Sequence, residues 1–581
     1  MKFILNHMKP YRKMVAAAVL IKFLSTVFEL LIPYILEYMI DSVVPAGRTV
    51  AVIGWGMLLF LAALLTWGAG MLANYTAIRN AHFVSFDIRQ ELFTSTMGLS
   101  GSSFDSFGLP SLISRMTSDS YNVQSGAQQL QSLCVRAPMM MLGGIFMMML
   151  MDFRLSLILL ISLPFLFAII ILASAKNIPL VSGVQRRLDN IVRIMREDIT
   201  GIRVVKALSK TDYEKRRFRE ANNEMAGADI SAGTMMAVPG PSLQLILNVG
   251  LTLVVYLGAV RVNAGKTEPG VILAFLTYFN MISMGVNGMS RIFLSLSKAS
   301  ASANRIAEVI GTEDERKLIP VTEETKADGP FIRFEHVTFS YSRACGGETS
   351  GGERQDVIKD LSFTLDRGET LGIIGPTGCG KTTIINLLMR FYDAGGGNIY
   401  IGGRDVRTYD PDELHRKFGT VFQKDIIFRE SLEDNIRFDR EIPEEQLMRA
   451  VRASQTSEFT DGLKDGLKTG AEIRGANFSG GQKQRLLVAR ALAGNPEILV
   501  LDDSSSALDY RTDSLMRKEI GKDSGDRAVI LIAQRVSSVM NADRILVMDN
   551  GAAIGLGTHE ELLRTCKPYR DIYELQMGNV R

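Results

Sequence analysis

Cysteine is scarce in this chain, with four in 581 residues. Cys134, Cys345, Cys379 and Cys566 have neither paired nor metal-like spacing, so nothing indicates a disulfide framework or a zinc site, and a reducing cytosol suits them. Charge of one sign is also lacking: the formal net charge is only +3, and there is no basic excess of the kind that marks a nucleic-acid partner. No cleavable leader is evident either, because MKFILNHMKPYRK lacks an uninterrupted apolar core ending in a small-residue cleavage site. Over long stretches before about residue 297 charge itself almost vanishes, and the 47% hydrophobic content is concentrated there. A chain of this length exceeds one core and requires at least two domains.

The apolar stretches are long enough to cross a bilayer. Lys2, Lys9, Arg12 and Lys13, interleaved with Phe3, Ile4 and Leu5, form a short amphipathic segment suited to the inner membrane surface. Spans follow at about 14–40, 51–77, 133–151, 155–175, 237–260 and 269–296. Asp152, Phe153 and Arg154 leave room only for a tight turn between the third and fourth, and Arg136 falls inside the third. Residues 78–132 and 176–236 regain charge at helical spacing, and the basic run from Arg186 to Arg219 places them in the cytosol by the positive-inside bias. Glu29 and Glu37 fall within the first span and are candidate cavity-lining acids; the alternative is that Glu37 is interfacial and Glu29 pairs with Arg136 or Lys22. The methionine run Met139–Met151 serves either as a pliable ligand surface or, more simply, as packing and lipid-facing surface.

The second half carries different chemistry. Residues 298–330 read as a linker, and Phe331–Tyr341 alternates like a strand, with Tyr341 available to stack on an adenine ring. Ser342–Asp356 is a Gly-rich loop to which no chemistry attaches. Leu371–Ile374 is a buried strand leading into GPTGCGKTT, in which Gly375, Gly380, Lys381 and Thr382 have the spacing of a phosphate-binding loop. Backbone amides through Thr377, Gly378, Cys379 and Thr383 turn toward an anion, Lys381 adds charge, and the Thr382 hydroxyl suits Mg2+. Ile498–Leu501 is a second buried strand ending in Asp502, a magnesium-holding carboxylate, and Asp503, where a water-activating base stands. Between them lies NFSGGQKQR; Ser479, Gly480 and Gly481 open a helix, giving one chain a second anion-binding surface.

With FSGGQ and the phosphate loop at this separation, the chain resembles a half-transporter of the ABC exporter family over essentially its whole length. The resemblance implies a six-helix all-α transmembrane domain (1–297), the linker, and an α/β P-loop nucleotide-binding domain (331–581) in the cytosol. It implies ATP and Mg2+ as ligands. Tyr341 becomes the adenine-stacking aromatic, Gln423 a magnesium contact, Ser506–Asp509 the loop between two nucleotide sites, and Ser479–Gln482 the motif that touches the other subunit's ATP. Short helices near Ser103–Phe107 and Ser209–Tyr213 become the docking elements of the cytoplasmic excursions. Two positions depart from the family pattern: Asp503 stands where glutamate is usual, and Gln534 where a histidine is usual. Phe478 also replaces the usual leucine. These changes imply a site that holds ATP and cleaves it poorly, and hence a heterodimer with a competent second half-transporter, extruding an amphipathic or apolar, drug- or lipid-like solute. The alternatives are a homodimeric lipid or drug flippase and a nucleotide-gated regulatory subunit.

Overall fold

The structure, a computed structural model, describes residues 1–312, 318–321, 329–341, 356–504, 507–522 and 525–578. Cys345, Ser506, nearly all of the Gly-rich loop and residues 313–317 and 322–328 of the linker lie outside the described residues. Two compact units emerge: Met1–Ser95 with Leu112–Gly311, and Thr96–Ser111 with Thr312–Arg581.

The first unit is wholly helical. Among the described residues, six helical stretches are long and apolar enough to cross a membrane. In chain order the helices are α1 (Lys2–Met8), α2 (Arg12–Tyr38), α3 (Thr49–Met97), α4 (Gly101–Phe107, which belongs to the second unit), α5 (Leu109–Ser114), α6 (Ser120–Gln131), α7 (Leu133–Met151), α8 (Phe153–Thr200), α9 (Ile202–Ala207), α10 (Thr211–Ala237), α11 (Pro239–Asn263) and α12 (Pro269–Ile310). Residues 298–310 are therefore helical. The tight turn between α7 and α8 has a clear cause: Asp152 is extended, and its Oδ1 accepts from the amides of Arg154 at 2.9 Å and Leu155 at 3.2 Å, capping α8. Its second oxygen takes the Thr267 hydroxyl at 2.7 Å and Arg261 at 2.9 Å, tying the α7–α8 turn to the α11–α12 turn.

The core of this unit follows helical spacing. Phe275, Tyr278 and Ile282 of α12 are buried on one stripe with Leu30 of α2, Met148 of α7 and Val254 of α11, and the Tyr278 hydroxyl donates to the Leu30 carbonyl at 2.7 Å. The methionine run divides in the same way, with Met140 and Met148 buried and Met149 exposed. Both Glu29 oxygens accept from one guanidinium edge of Arg136, Oε1 from Nη2 at 2.8 Å and Oε2 from Nε at 3.3 Å, while Lys22 is buried and donates to Asn74 at 3.3 Å. The candidate cavity acid is thus a paired one: in a bilayer a carboxylate facing a guanidinium bidentately costs far less than a bare one. The second short helix also differs from the sequence expectation. It is α9, at Ile202–Ala207, because the chain turns at Gly201, whereas Ser209 adopts a left-handed φ of 53° and residues 211–213 already start α10.

The second unit is α/β. An antiparallel sheet has strand order β2-β1-β4-β5, with β1 Ile332–Phe339, β2 Ile358–Leu365, β4 Gly396–Ile401 and β5 Arg404–Asp405. The other sheet has order β10-β9-β3-β8-β7-β6, with β3 Thr370–Ile374, β6 Phe418–Val421, β7 Ile498–Asp502, β8 Ala528–Ile532, β9 Arg544–Asp549 and β10 Ala552–Gly557. Strands β6, β7, β8, β3 and β9 run parallel. Burial on both faces explains why β7 and β8 are continuous apolar runs, ILVLD and AVILI.

Candidate nucleotide site

The parallel sheet decides where the site lies. Four neighbouring strands end on one edge, and the residues at or just beyond those ends line a single cavity of about 170 Å3: Gln423 after β6, Asp502 and Asp503 at β7, Ala533 and Gln534 after β8, and the loop after β3. Ligands of open α/β sheets bind beyond such carboxyl ends. Thr377, Gly378, Gly380, Lys381, Thr382 and Thr383 complete the lining on the loop side.

The loop geometry is that of an anion cradle. Gly380 sits at φ 100°, and a Cβ there would meet the Val357 carbonyl at 3.0 Å and Ile358 at 2.7 Å, so glycine is required where the helix Lys381–Leu388 begins. Lys381 is buried, and its ammonium donates to the carbonyls of Gly375 and Pro376, each at 2.8 Å. Those bonds hold the charge under the loop. Cys379 is buried behind it, its sulfur 3.8 Å from that ammonium, and burial pushes its thiol up. Thr382 donates from its hydroxyl to Asp502 Oδ2 at 2.7 Å. Burial raises the Asp502 carboxyl above the usual range and Asp503 adds to this, against the opposing pull of Thr382 and Lys381.

Asp503 is held unusually. Its φ is 50°, a left-handed conformation that Asp and Asn tolerate better than most residues. Its amide donates to Ile532 at 3.0 Å, and Gln534 reaches Oδ2 from Nε2 at 3.5 Å. Tyr341 stands beside the loop helix, its hydroxyl 3.2 Å from Thr383 Oγ1 and accepting from Asn386 at 3.3 Å.

Some of the sequence-selected residues lie apart. Ser479, Gly480, Gly481 and Gln482 line no part of this cavity. Ser479 caps the helix Gly480–Ala493, accepting from the Gln482 amide at 3.3 Å while Gln482 Oε1 accepts from the Ser479 amide at 2.8 Å, a reciprocal capping box. Phe478 is half-buried and tilted against Phe459, with ring centroids 6.1 Å apart. Asp509 also lies off the cavity, accepting from the Thr512 amide at 3.1 Å. Sequence reasoning missed Val357, Ile532 and Ala533, which line the cavity with backbone and apolar surface and carry no motif. It missed Gln484 as well, which donates to the Asp503 carbonyl at 3.4 Å and accepts from the Ala507 amide at 3.1 Å.

A chain with six membrane-crossing helices and a P-loop domain of this topology is an ATP-binding membrane protein of the transporter class. Residues 15–286 match the ABC transporter transmembrane region and residues 358–506 the ABC transporter domain. The chain belongs to the ABC transporters, as a half-transporter carrying one membrane region and one cytoplasmic nucleotide-binding domain. It is 32% identical over 572 residues to an uncharacterized ABC transporter ATP-binding protein of Mycobacterium tuberculosis, covering 97% of this chain and 96% of that one. It is 27% identical over 576 residues to an ATP-dependent lipid A-core flippase of Acinetobacter baylyi, covering 98% and 97%. With a fatty acid ABC transporter ATP-binding/permease protein of Mycobacterium bovis it shares 30% over 503 residues, 86% of this chain and 77% of the other. Its fold matches that of a bacterial Atm1-family ABC exporter with ATP bound at a TM-score of 0.80 and 22% identity, over 98% of this chain and all of that one.

Proposed function

We propose that this chain is one subunit of a dimeric, ATP-driven exporter for amphipathic or apolar solutes, and that it works with a second half-transporter whose ATP site is hydrolytically competent. One observation carries the reading. Lys381, Thr382, Gln423 and Asp502 line one cavity together with Asp503 and Gln534, while the capped Ser479–Gln482 helix stands outside it. A helix N-terminus with free amides serves an anion, and in a head-to-tail pair of such domains the anion it serves belongs to the other subunit.

In this reading the amides of Thr377–Lys381 and the Lys381 ammonium bind the phosphates, and Tyr341 stacks on the base. The Thr382 hydroxyl and the Asp502 carboxylate, 2.7 Å apart on the cavity wall, fit Mg2+, with Gln423 beside them. Bound there, the ion neutralises phosphate charge. Asp503 is one methylene shorter than glutamate and falls short of a water placed for the longer side chain, and Gln534 has no imidazolium charge to offer. Loss of a well-placed base costs roughly 100- to 10,000-fold in rate. ATP bound here holds the domains together and is cleaved slowly. Closure of the paired nucleotide-binding domains then switches the membrane cavity between inward- and outward-facing states. The relatives named for lipid A-core and fatty acid favour a lipid-like solute.

The test is asymmetric. Gly480→Asp, which sets a carboxylate against the other subunit's ATP, abolishes turnover of the complex purified with its co-expressed partner, whereas Asp503→Ala leaves most of it. Robust ATPase activity of this chain alone as a homodimer, lost in Asp503→Ala, would sink the reading.

A further inference from the structure

The ring of Tyr341 does not stand alone. It meets Tyr392 edge-to-face, with centroids 5.1 Å apart and planes at 88°, and both rings pack against Phe339. Tyr392 in turn donates its hydroxyl to Asp105 Oδ2 at 2.6 Å. Asp105 lies on α4, the short helix that comes a few residues after α3 and packs in the nucleotide-binding unit. The dock is close: the Gly101 amide donates to the Phe391 carbonyl at 3.1 Å, and a Cβ on Gly101 would stand 2.8 Å from that oxygen and 2.9 Å from the Tyr392 ring. Ser100 caps the helix through the Ser103 amide, so α4 meets the ring as a fixed turn. Burial and the Asp105 carboxylate both push the Tyr392 hydroxyl upward, so it remains a donor at any working pH.

Resting on the assignment of Tyr341 to the adenine, we propose that Tyr392 is a positioning residue that reports occupancy by the base, as distinct from the phosphates, to α4. A base stacked on Tyr341 fixes that ring; the edge-to-face pair restrains Tyr392, since ring pairs of this kind hold a preferred geometry. The restrained hydroxyl then keeps Asp105, and with it α4, in one place. Phosphates alone fill the loop at Lys381 and reach the trio only at the Tyr341 hydroxyl, through Thr383, with no flat surface to stack on its ring. The helix at the end of a membrane-crossing segment therefore distinguishes a nucleotide from a polyphosphate.

Hydrogen–deuterium exchange on the full-length protein in lipid nanodiscs tests this, with ATP and inorganic tripolyphosphate as saturating probes and Mg2+ present throughout. The expected result is exchange at residues 101–107 slowed about fivefold by ATP, the size a ring pair supplies, and not by tripolyphosphate. Tyr392→Phe and Asp105→Ala should each lose that protection with ATP affinity little changed. Asp105→Asn, which keeps an acceptor for the tyrosine hydroxyl, should retain it, a rescue that a role in folding alone would not produce. Equal protection by ATP and tripolyphosphate, or protection that survives in Tyr392→Phe, overturns the proposal. Tyr341→Ala separates the two ways it fails. If ATP affinity is unchanged in that variant, the adenine assignment has fallen; if affinity drops while Tyr392→Phe keeps its protection, only the link to α4 has.

Discussion

Gln534 donates from Nε2 to Asp503 Oδ2 over 3.5 Å, so the two residues that depart from the family pattern contact each other at the cavity wall. An amide is paired here with a carboxylate, and in the proposed reading neither offers the imidazolium or the reach that water attack uses. The double change Asp503→Glu with Gln534→His should raise hydrolysis at this site by roughly 100- to 10,000-fold. Steady-state phosphate release from the purified chain checks this. Asp503→Glu alone should give less, because Gln534 still has no imidazolium charge to offer.

Lys381→Ala removes a buried ammonium that bridges two loop carbonyls, and the loop loses both its charge toward phosphate and its inner brace. Hydrogen bonds to charged groups contribute about 1.5–3 kcal/mol each, so ATP affinity should fall roughly 10- to 100-fold. Photolabelling of the mutant with an ATP analogue at wild-type intensity would contradict the loop assignment.

Asp502 sets a pH dependence. Burial, then Asp503, raise its carboxyl above the ordinary range. A proton must leave before the carboxylate accepts a cation, so Mg–ATP affinity should climb with pH through that raised value and then level off. Without ligand the sign reverses. A raised acid contributes its stability below the unfolded carboxylate pKa and loses it as pH rises through the folded one. Calorimetric titration upward in pH from the ordinary carboxylate value, compared with Asp502→Asn, should show a slope in the wild type and a flat, weak response in the mutant.

Glu29 and Arg136 form a bidentate pair between α2 and α7. Glu29→Gln leaves the guanidinium without its counter-charge and should cost about 1–3 kcal/mol. Thermal melting in nanodiscs should show Glu29→Gln with Arg136→Gln recovering most of that loss. Because the pair is neutral as a whole, Glu29→Gln should change transport of cationic and neutral dyes to the same extent; a selective loss of cationic dyes would mean the acid faces the transport cavity.

The sequence alone determined what is contiguous. Uncharged runs of about twenty residues made membrane helices legible, the order of strand, glycine loop and helix made the phosphate site legible at Gly375–Thr383, and FSGGQ named a second anion surface. Each of these signals lies within one stretch of chain. Asp152 as a turn was legible for the same reason, and its cap completes that turn. Tertiary structure decided what meets across the chain. The sheet order β3-β8-β7-β6 brings Lys381, Gln534, Asp502 and Gln423 to one cavity, an order that strand composition does not encode. Helix packing chose Arg136 over Lys22 for Glu29, a contact across 107 residues. Asp105 and Tyr392, 287 residues apart, carry no motif at all. Their pairing depends on where α4 packs against the nucleotide-binding unit, and that is set by the close fit of Gly101 on the Tyr392 ring.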